Sequence, residues 1–112
     1  MVEQYLAALA PASIARDVRR VLVEVLPEGE PTVAKVADQL HVSVRTLQRN
    51  LRDEGVSFSD VLSEVRRELA VGYLRAGDHS VTEVTYLLGF SETAAFSRAF
   101  KRWTGVAPSQ FR

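Results

Sequence analysis

Cysteine is absent from the chain. A disulfide scaffold, a thiolate zinc site and a cysteine nucleophile are therefore excluded, and a reducing compartment fits. Histidine is scarce, with only His41 and His79. Asp38 near His41 and Asp78 beside His79 are two-ligand fragments, short of a metal site, and both histidines are expected on the surface. There is no glycine-rich phosphate loop and no nucleophile motif, so nothing points to catalysis or to a cofactor. Uninterrupted apolar stretches run for only a few residues, whereas a membrane span needs about 20. No charged n-region, apolar h-region and cleavage site opens the sequence, so secretion is not expected. Net charge is missing too, because 14 basic side chains balance 14 acidic ones.

What is present describes an ordinary globular protein. A length of 112 residues allows one domain or two very small ones. With 46% apolar and 25% charged residues, the composition excludes a disordered tail and a collagen-like rod. The balanced charge is unevenly spread. Residues 1–44 hold 4 basic and 6 acidic side chains, and residues 45–112 hold 10 and 8. Arg45, Arg49 and Arg52 fall in a window without acids, and Arg98, Lys101, Arg102 and Arg112 share another with Glu92 alone. Arginine outnumbers lysine 12 to 2, and arginine makes the better bidentate contact to phosphate and base edges. Taken alone, this pattern favours ordinary solvated helix faces.

Helical punctuation runs the whole length. Ile14, Val18, Val21, Leu22 and Val25 recur at helical spacing, predicting a helix from about Ala12 to Leu26 that Pro27, Gly29 and Pro31 end. Thr32 is placed to cap a helix over Val33–Leu40, and Ser43 to cap another over Val44–Glu54, closed by Gly55. A longer helix is predicted over Ser59–Ala76, with Val61, Leu62, Val65, Leu69 and Tyr73 inward and Gly77 at its end. Gly72 inside it costs about 1 kcal/mol relative to alanine. Ser80 and Glu83 form an S-x-x-E capping box before Val81–Leu88. Ser91 is assigned as the cap of a last helix, Glu92–Thr104, which Gly105 ends, and Pro108 opens a final turn.

The chain also repeats. At an offset of 48, Val33, Val36, Leu40 and Ser43 meet Val81, Val84, Leu88 and Ser91. At 49, Leu47, Arg49 and Leu51 meet Phe96, Arg98 and Phe100; at 50, Gly55, Val56 and Ser59 meet Gly105, Val106 and Ser109. Core positions, caps, terminating glycines and one arginine recur in the same order, which reads as two copies of a short helix, a tight turn and a second helix. That is the helix-turn-helix arrangement, whose second helix buries one face and offers the other to DNA. In the first copy Val44, Leu47 and Leu51 make the inner stripe, and Arg45, Gln48, Arg49 and Arg52 lie outside. In the second, Phe96, Ala99, Phe100 and Trp103 make the stripe, leaving Thr93, Ala94, Ser97, Arg98, Lys101 and Arg102 outside. The aromatic stripe reads as core rather than a ligand pocket. Donors of these types suit base edges and phosphates. The competing reading is a helical protein-interaction module whose basic faces meet an acidic partner; exposed aromatics or leucines would favour it.

The C-terminal third, VTEVTYLLGFSETAAFSRAFKRWTGVAPSQFR, resembles the signature of the AraC/XylS family of bacterial transcription regulators. Its identifying residues are Gly89-Phe90, the run Phe96-Ser97-Arg98-Ala99-Phe100-Lys101-Arg102, and Gly105 with Pro108. Upstream, SVRTLQRNLRDEGVSFSDVL is similar to the family's first recognition helix and the segment after it. The resemblance covers about residues 10–112. It implies an all-α fold of about seven helices, in which two helix-turn-helix subdomains are joined by a long linker helix. The expected division is an N-terminal segment or linker 1–11, a first subdomain 12–58 (motif about 33–54), a linker helix 59–77 and a second subdomain 78–112 (motif about 81–104).

The resemblance further implies that both recognition helices enter successive major grooves of double-stranded promoter DNA. Positions matching Arg45, Gln48 and Arg49 in the first, and Thr93, Ala94 and Arg98 in the second, reach bases. Ser43, Arg52, Ser91, Ser97, Lys101 and Arg102 are assigned to phosphate. Two positions depart from the pattern. Thr85 stands where the family usually has alanine, a change expected to alter packing alone, and Ala94-Ala95 replace a frequent polar pair. Alanine can touch a thymine methyl but cannot donate a hydrogen bond, so the first copy is expected to carry most base discrimination. The family also implies activation of transcription, RNA polymerase as a partner, cytoplasmic location at the bacterial nucleoid, and an effector-binding or dimerising domain not found in this chain. Zero net charge fits a fragment better than a stand-alone binder. Two reading units in one chain and no heptad seam predict a monomer.

Overall fold

Six α-helices and two 3₁₀ turns, with no strand, make up the described residues, 13–111, of the computed structural model. The N-terminal segment expected over 1–11, and Ala12 as the start of the first helix, lie outside the described residues. The helices are α1 (Ile14–Val25), α2 (Val33–Gln39), α3 (Val44–Asp53), α4 (Phe58–Ala76), α5 (Val81–Leu87) and α6 (Thr93–Thr104).

Local chemistry sets most of the boundaries. Ser13 precedes α1 in extended conformation, and its hydroxyl accepts from the Arg16 N–H. Pro27 turns the end of α1 into the 3₁₀ segment Leu26–Glu28. Thr32 and Ser43 cap α2 and α3 as expected, accepting from the Lys35 and Thr46 N–H groups. The long helix begins earlier than predicted, because the cap is Ser57. The Asp60 N–H donates to the Ser57 hydroxyl at 3.1 Å, and the Ser57 N–H donates to the Asp60 carboxylate at 2.9 Å. This is a capping box closed by aspartate instead of the usual glutamate. Ser80 and Glu83 form the expected box at α5.

The cap assigned to Ser91 is incorrect. Glu92 holds the extended cap position of α6, and its side chain makes no capping bond. The reason lies in the repeat. α2 and α5 match at an offset of 48, whereas α3 and α6 begin at Val44 and Thr93, an offset of 49. The extra residue sits in the second turn, so the counterpart of Ser43 is Glu92, and Ser91 lies one residue outside the helix.

The apolar residues form two buried clusters. The first combines Val18, Val21, Leu22, Val25 and Leu26 with Val36, Ala37, Leu47, Leu51, Val61 and Val65. The second combines Ala70, Leu74, Val84, Leu88, Phe96 and Phe100. α4 contributes to both: Val61 and Val65 from its first half, Ala70 and Leu74 from its second. Leu62, Leu69 and Tyr73, predicted to face inward, are only partly buried. Phe96 and Phe100 are fully buried, as a core reading requires, while Trp103 at the end of their stripe is half-buried. Thr85 is fully buried, and its hydroxyl donates to the Val81 carbonyl at 2.9 Å, so the polar group is satisfied within its own helix. His41 is exposed as expected, but His79 is half-buried, edge-on to Tyr73 with ring centroids 5.1 Å apart.

The clusters meet at a tight junction. Gly89 adopts φ +83°, and a Cβ there would stand 2.7 Å from the Gly29 carbonyl oxygen and 3.0 Å from that of Leu26. The turn of the second unit thus rests on the backbone that follows α1. The described residues extend 41 × 35 × 23 Å. None of their helices is long and apolar enough to cross a membrane.

Candidate nucleic-acid interface

α3 presents the surface expected of it. Leu47 is fully buried and Leu51 is 1% exposed, which fixes the helix rotation. Arg45, Gln48, Arg49 and Arg52 consequently point to solvent. Ser43 closes the N-terminus, and its hydroxyl also donates to the Thr46 hydroxyl at 2.9 Å. Gln48 and Arg52 border a cleft with Val56, Ser57 and Phe58, which brings the start of α4 beside the outer face of α3.

α6 repeats the arrangement with different chemistry. Phe96, Ala99 and Phe100 are buried. Ala94, Arg98, Lys101 and Arg102 are exposed, and Thr93 and Ser97 are half-buried. Arg98, Lys101 and Arg102 together line one shallow depression. Ser91 is exposed in the turn before the helix. The helix offset pairs Arg45 with Ala94, Gln48 with Ser97, Arg49 with Arg98 and Arg52 with Lys101. Each predicted base- or phosphate-contacting residue therefore lies on a recognition helix or in the turn leading into it.

The cations of this surface are free of ion pairs within the described residues, as are Arg16, Arg67 and Arg75 elsewhere. Among the described residues, Arg19 pairs with Glu64 and Glu68, Arg20 with Asp17, Lys35 with Glu28, and Arg66 with Glu30. None of Arg45, Arg49, Arg52, Arg98, Lys101 and Arg102 has a carboxylate partner among those residues. Their side chains can thus meet an external acceptor without first breaking an internal bond. The described residues also contain no group of three or more His, Asp or Glu side chains able to hold a metal.

Two supporting features escaped the sequence reading. Glu54, just past α3, accepts from the Ser13 hydroxyl at 2.9 Å and from the Ile14 and Ala15 N–H groups at 2.8 and 3.2 Å. It ties the end of α3 to the start of α1. Slight burial pushes its carboxyl up, but the hydrogen bonds from Ile14, Ser13 and Ala15 outweigh that, and its pKa lies below the ordinary 4.5. The second feature is Arg66, which is 6% exposed in the middle of α4. No local pattern marks either residue, because their partners are 22 to 41 residues away in sequence.

Comparison with known proteins matches this geometry. A helix-turn-helix domain family model covers residues 36–112. The ornithine utilization regulator of Pseudomonas aeruginosa is 40% identical over 95 residues, which is 85% of this chain and 28% of that protein. The chain thus spans less than a third of that relative's length. A DNA-binding transcriptional dual regulator from Escherichia coli K-12 superposes with a TM-score of 0.83 at 25% identity, covering 90% of both chains. The DNA-binding domain of AdpA, a global transcriptional factor solved in complex with a target DNA, superposes with a TM-score of 0.73 at 27% identity, covering 88% of both. With its two helix-turn-helix units, exposed arginine-bearing second helices and these relatives, the chain belongs to the AraC/XylS family of helix-turn-helix transcription regulators.

Proposed function

We propose that this chain binds double-stranded promoter DNA sequence-specifically, with α3 and α6 in successive major grooves on one face of the duplex. The observation that carries the reading is the pair of equivalent helices whose outer faces expose arginine, lysine and glutamine without carboxylate partners among the described residues. Arg45, Gln48 and Arg49 read bases from α3, and Thr93, Ala94 and Arg98 contact bases more weakly from α6. Ser43, Arg52, Ser91, Ser97, Lys101 and Arg102 hold phosphates. The division into subdomains 12–58 and 78–112 about a linker helix belongs to the same proposal.

The role that follows is regulation of transcription in the cytoplasm, at the nucleoid, by activation in contact with RNA polymerase. Effector binding or dimerisation is assigned to a separate domain, and this chain acts as a monomer that supplies binding without catalysis. Binding-site selection from random duplexes, followed by titration against salt, tests the reading. The expected product is one asymmetric site with a sharp half and a loose half about a helical turn apart. Each neutralised phosphate should add roughly 0.9 to the salt slope. No shift with any duplex at low salt, combined with binding to an acidic protein, would replace it with the protein-interaction reading.

A further inference from the structure

Arg66 belongs to neither recognition surface, yet it joins the two units. Its Nε donates to the Leu88 carbonyl at 2.7 Å, in the turn of the second unit. Its Nη2 donates to the Glu30 carboxylate at 2.6 Å, in the segment between α1 and α2 of the first. Its guanidinium carbon lies 4.0 Å from the centroid of the Phe90 ring. One planar fork is therefore held by a carbonyl, a carboxylate and an aromatic face, and lysine, a single point charge, cannot reproduce all three. The partners come from opposite ends of the junction at which Gly89 rests on Gly29.

We propose that Arg66 is a positioning residue for DNA recognition: it locks the second unit against the first and so fixes the half-site spacing the chain accepts. α4 by itself joins the units but need not set their rotation about its axis. The bonds from Arg66 to Leu88 and Glu30 resist that rotation, and the Phe90 contact keeps the turn seated. With the units locked, only a duplex of matching half-site spacing and phase engages both recognition helices. With the lock removed, each unit can still read its own half-site, and spacing selectivity falls.

This inference rests on the DNA-binding reading above, and its test separates the two. The probe is the duplex recovered by selection, together with versions carrying one base pair more or fewer between the halves and a version carrying the sharp half alone. Moving a half-site by one base pair shifts it by about 3.4 Å along the axis and about 35° around it. For the wild-type chain, one base pair should cost ~10-fold or more of the gain from linking two modules. Arg66→Met keeps the apolar stem and loses the fork; its spacing penalty should shrink to ~3-fold or less, with binding to the sharp half alone unchanged. Without DNA, ¹⁵N relaxation should give one tumbling time for both units of the wild type and two for the variant. A folded Arg66→Met with the wild-type spacing penalty and a single tumbling time would overturn the proposal. Should that variant not fold, Glu30→Ala decides, because it removes the acceptor at the exposed end and leaves the bond to Leu88 in place. A reduced penalty supports the lock, and an unchanged one overturns it. A wild-type chain that selects no two-part site refutes the DNA reading instead, and relaxation still judges the lock.

Discussion

Replacing Gly89 with alanine should damage this fold more than the same change at Gly105, although both residues have the same backbone conformation. Gly89 has φ +83° and Gly105 has φ +88°. The left-handed conformation costs an alanine about 1–2 kcal/mol in either place, partly offset by about 0.4–1 kcal/mol from a less flexible unfolded chain. The environments differ. A Cβ at Gly105 meets nothing within 4 Å, whereas one at Gly89 stands 2.7 Å from the Gly29 oxygen and 3.1 Å from the Gly29 carbonyl carbon. Those are backbone atoms beside a 3₁₀ turn containing Pro27, so they cannot swing aside as a side chain would. Relieving the overlap means moving one unit against the other, at the ~1–3 kcal/mol typical of overpacking. Gly105→Ala should therefore lose about 1 kcal/mol and Gly89→Ala about 2–4 kcal/mol. Urea denaturation of the two variants and the wild type, analysed with a common slope, measures both. Losses that agree within about 0.5 kcal/mol would refute the close approach as the cause.

At the matching turn of the first unit, His41 has φ +58°. His41→Gly should raise stability by a few tenths to about 1 kcal/mol, read in the same denaturation experiment. Arg49→Ala should weaken binding to the selected site by about 1–3 kcal/mol and relax preference at one base pair. Lys101→Ala should weaken all sequences alike and lower the salt slope by about one, so equal losses for Arg49→Ala on specific and random duplexes would remove its base-reading role. Because the Glu54 pKa is lowered on folding, its contribution is present above the ordinary 4.5 and is lost as pH falls through the folded value. Glu54→Gln should have a lower urea midpoint at pH 7 and converge on the wild type in acid, whereas parallel profiles would contradict the tie to Ser13, Ile14 and Ala15.

The parts of this molecule legible in its sequence are those set by neighbouring residues. Thr32, Ser43 and Ser80 cap helices because a hydroxyl reaches an N–H three residues on, and spacing reveals this directly. The buried stripes of α3 and α6 follow from periodicity in the same way, and with them the outward faces that make the candidate interface. Ser91 was misplaced because one inserted residue shifts a cap without disturbing the apolar pattern around it. Glu54 and Arg66 were invisible because an exposed glutamate after a helix and a buried arginine within one look like ordinary surface residues until their distant partners are known.

The duplicated unit separates local from imposed constraints. His41 and Gly89 occupy the same place in the two turns, after Leu40 and Leu88, and both adopt positive φ. The turn itself therefore demands the left-handed conformation, and a histidine can bear it where the turn is exposed. Glycine appears where that turn is pressed against Gly29 and Leu26, which no longer tests the conformation but the space. The next residue diverges for a related reason: Val42 is partly buried against the first core, whereas Phe90 packs against the second and carries the Arg66 guanidinium. The Gly89-Phe90 pair thus belongs less to the helix-turn-helix unit than to the joining of two such units. A single copy excised from this chain would have no need of it, and the same pair transplanted to positions 41 and 42 would gain none of its contacts.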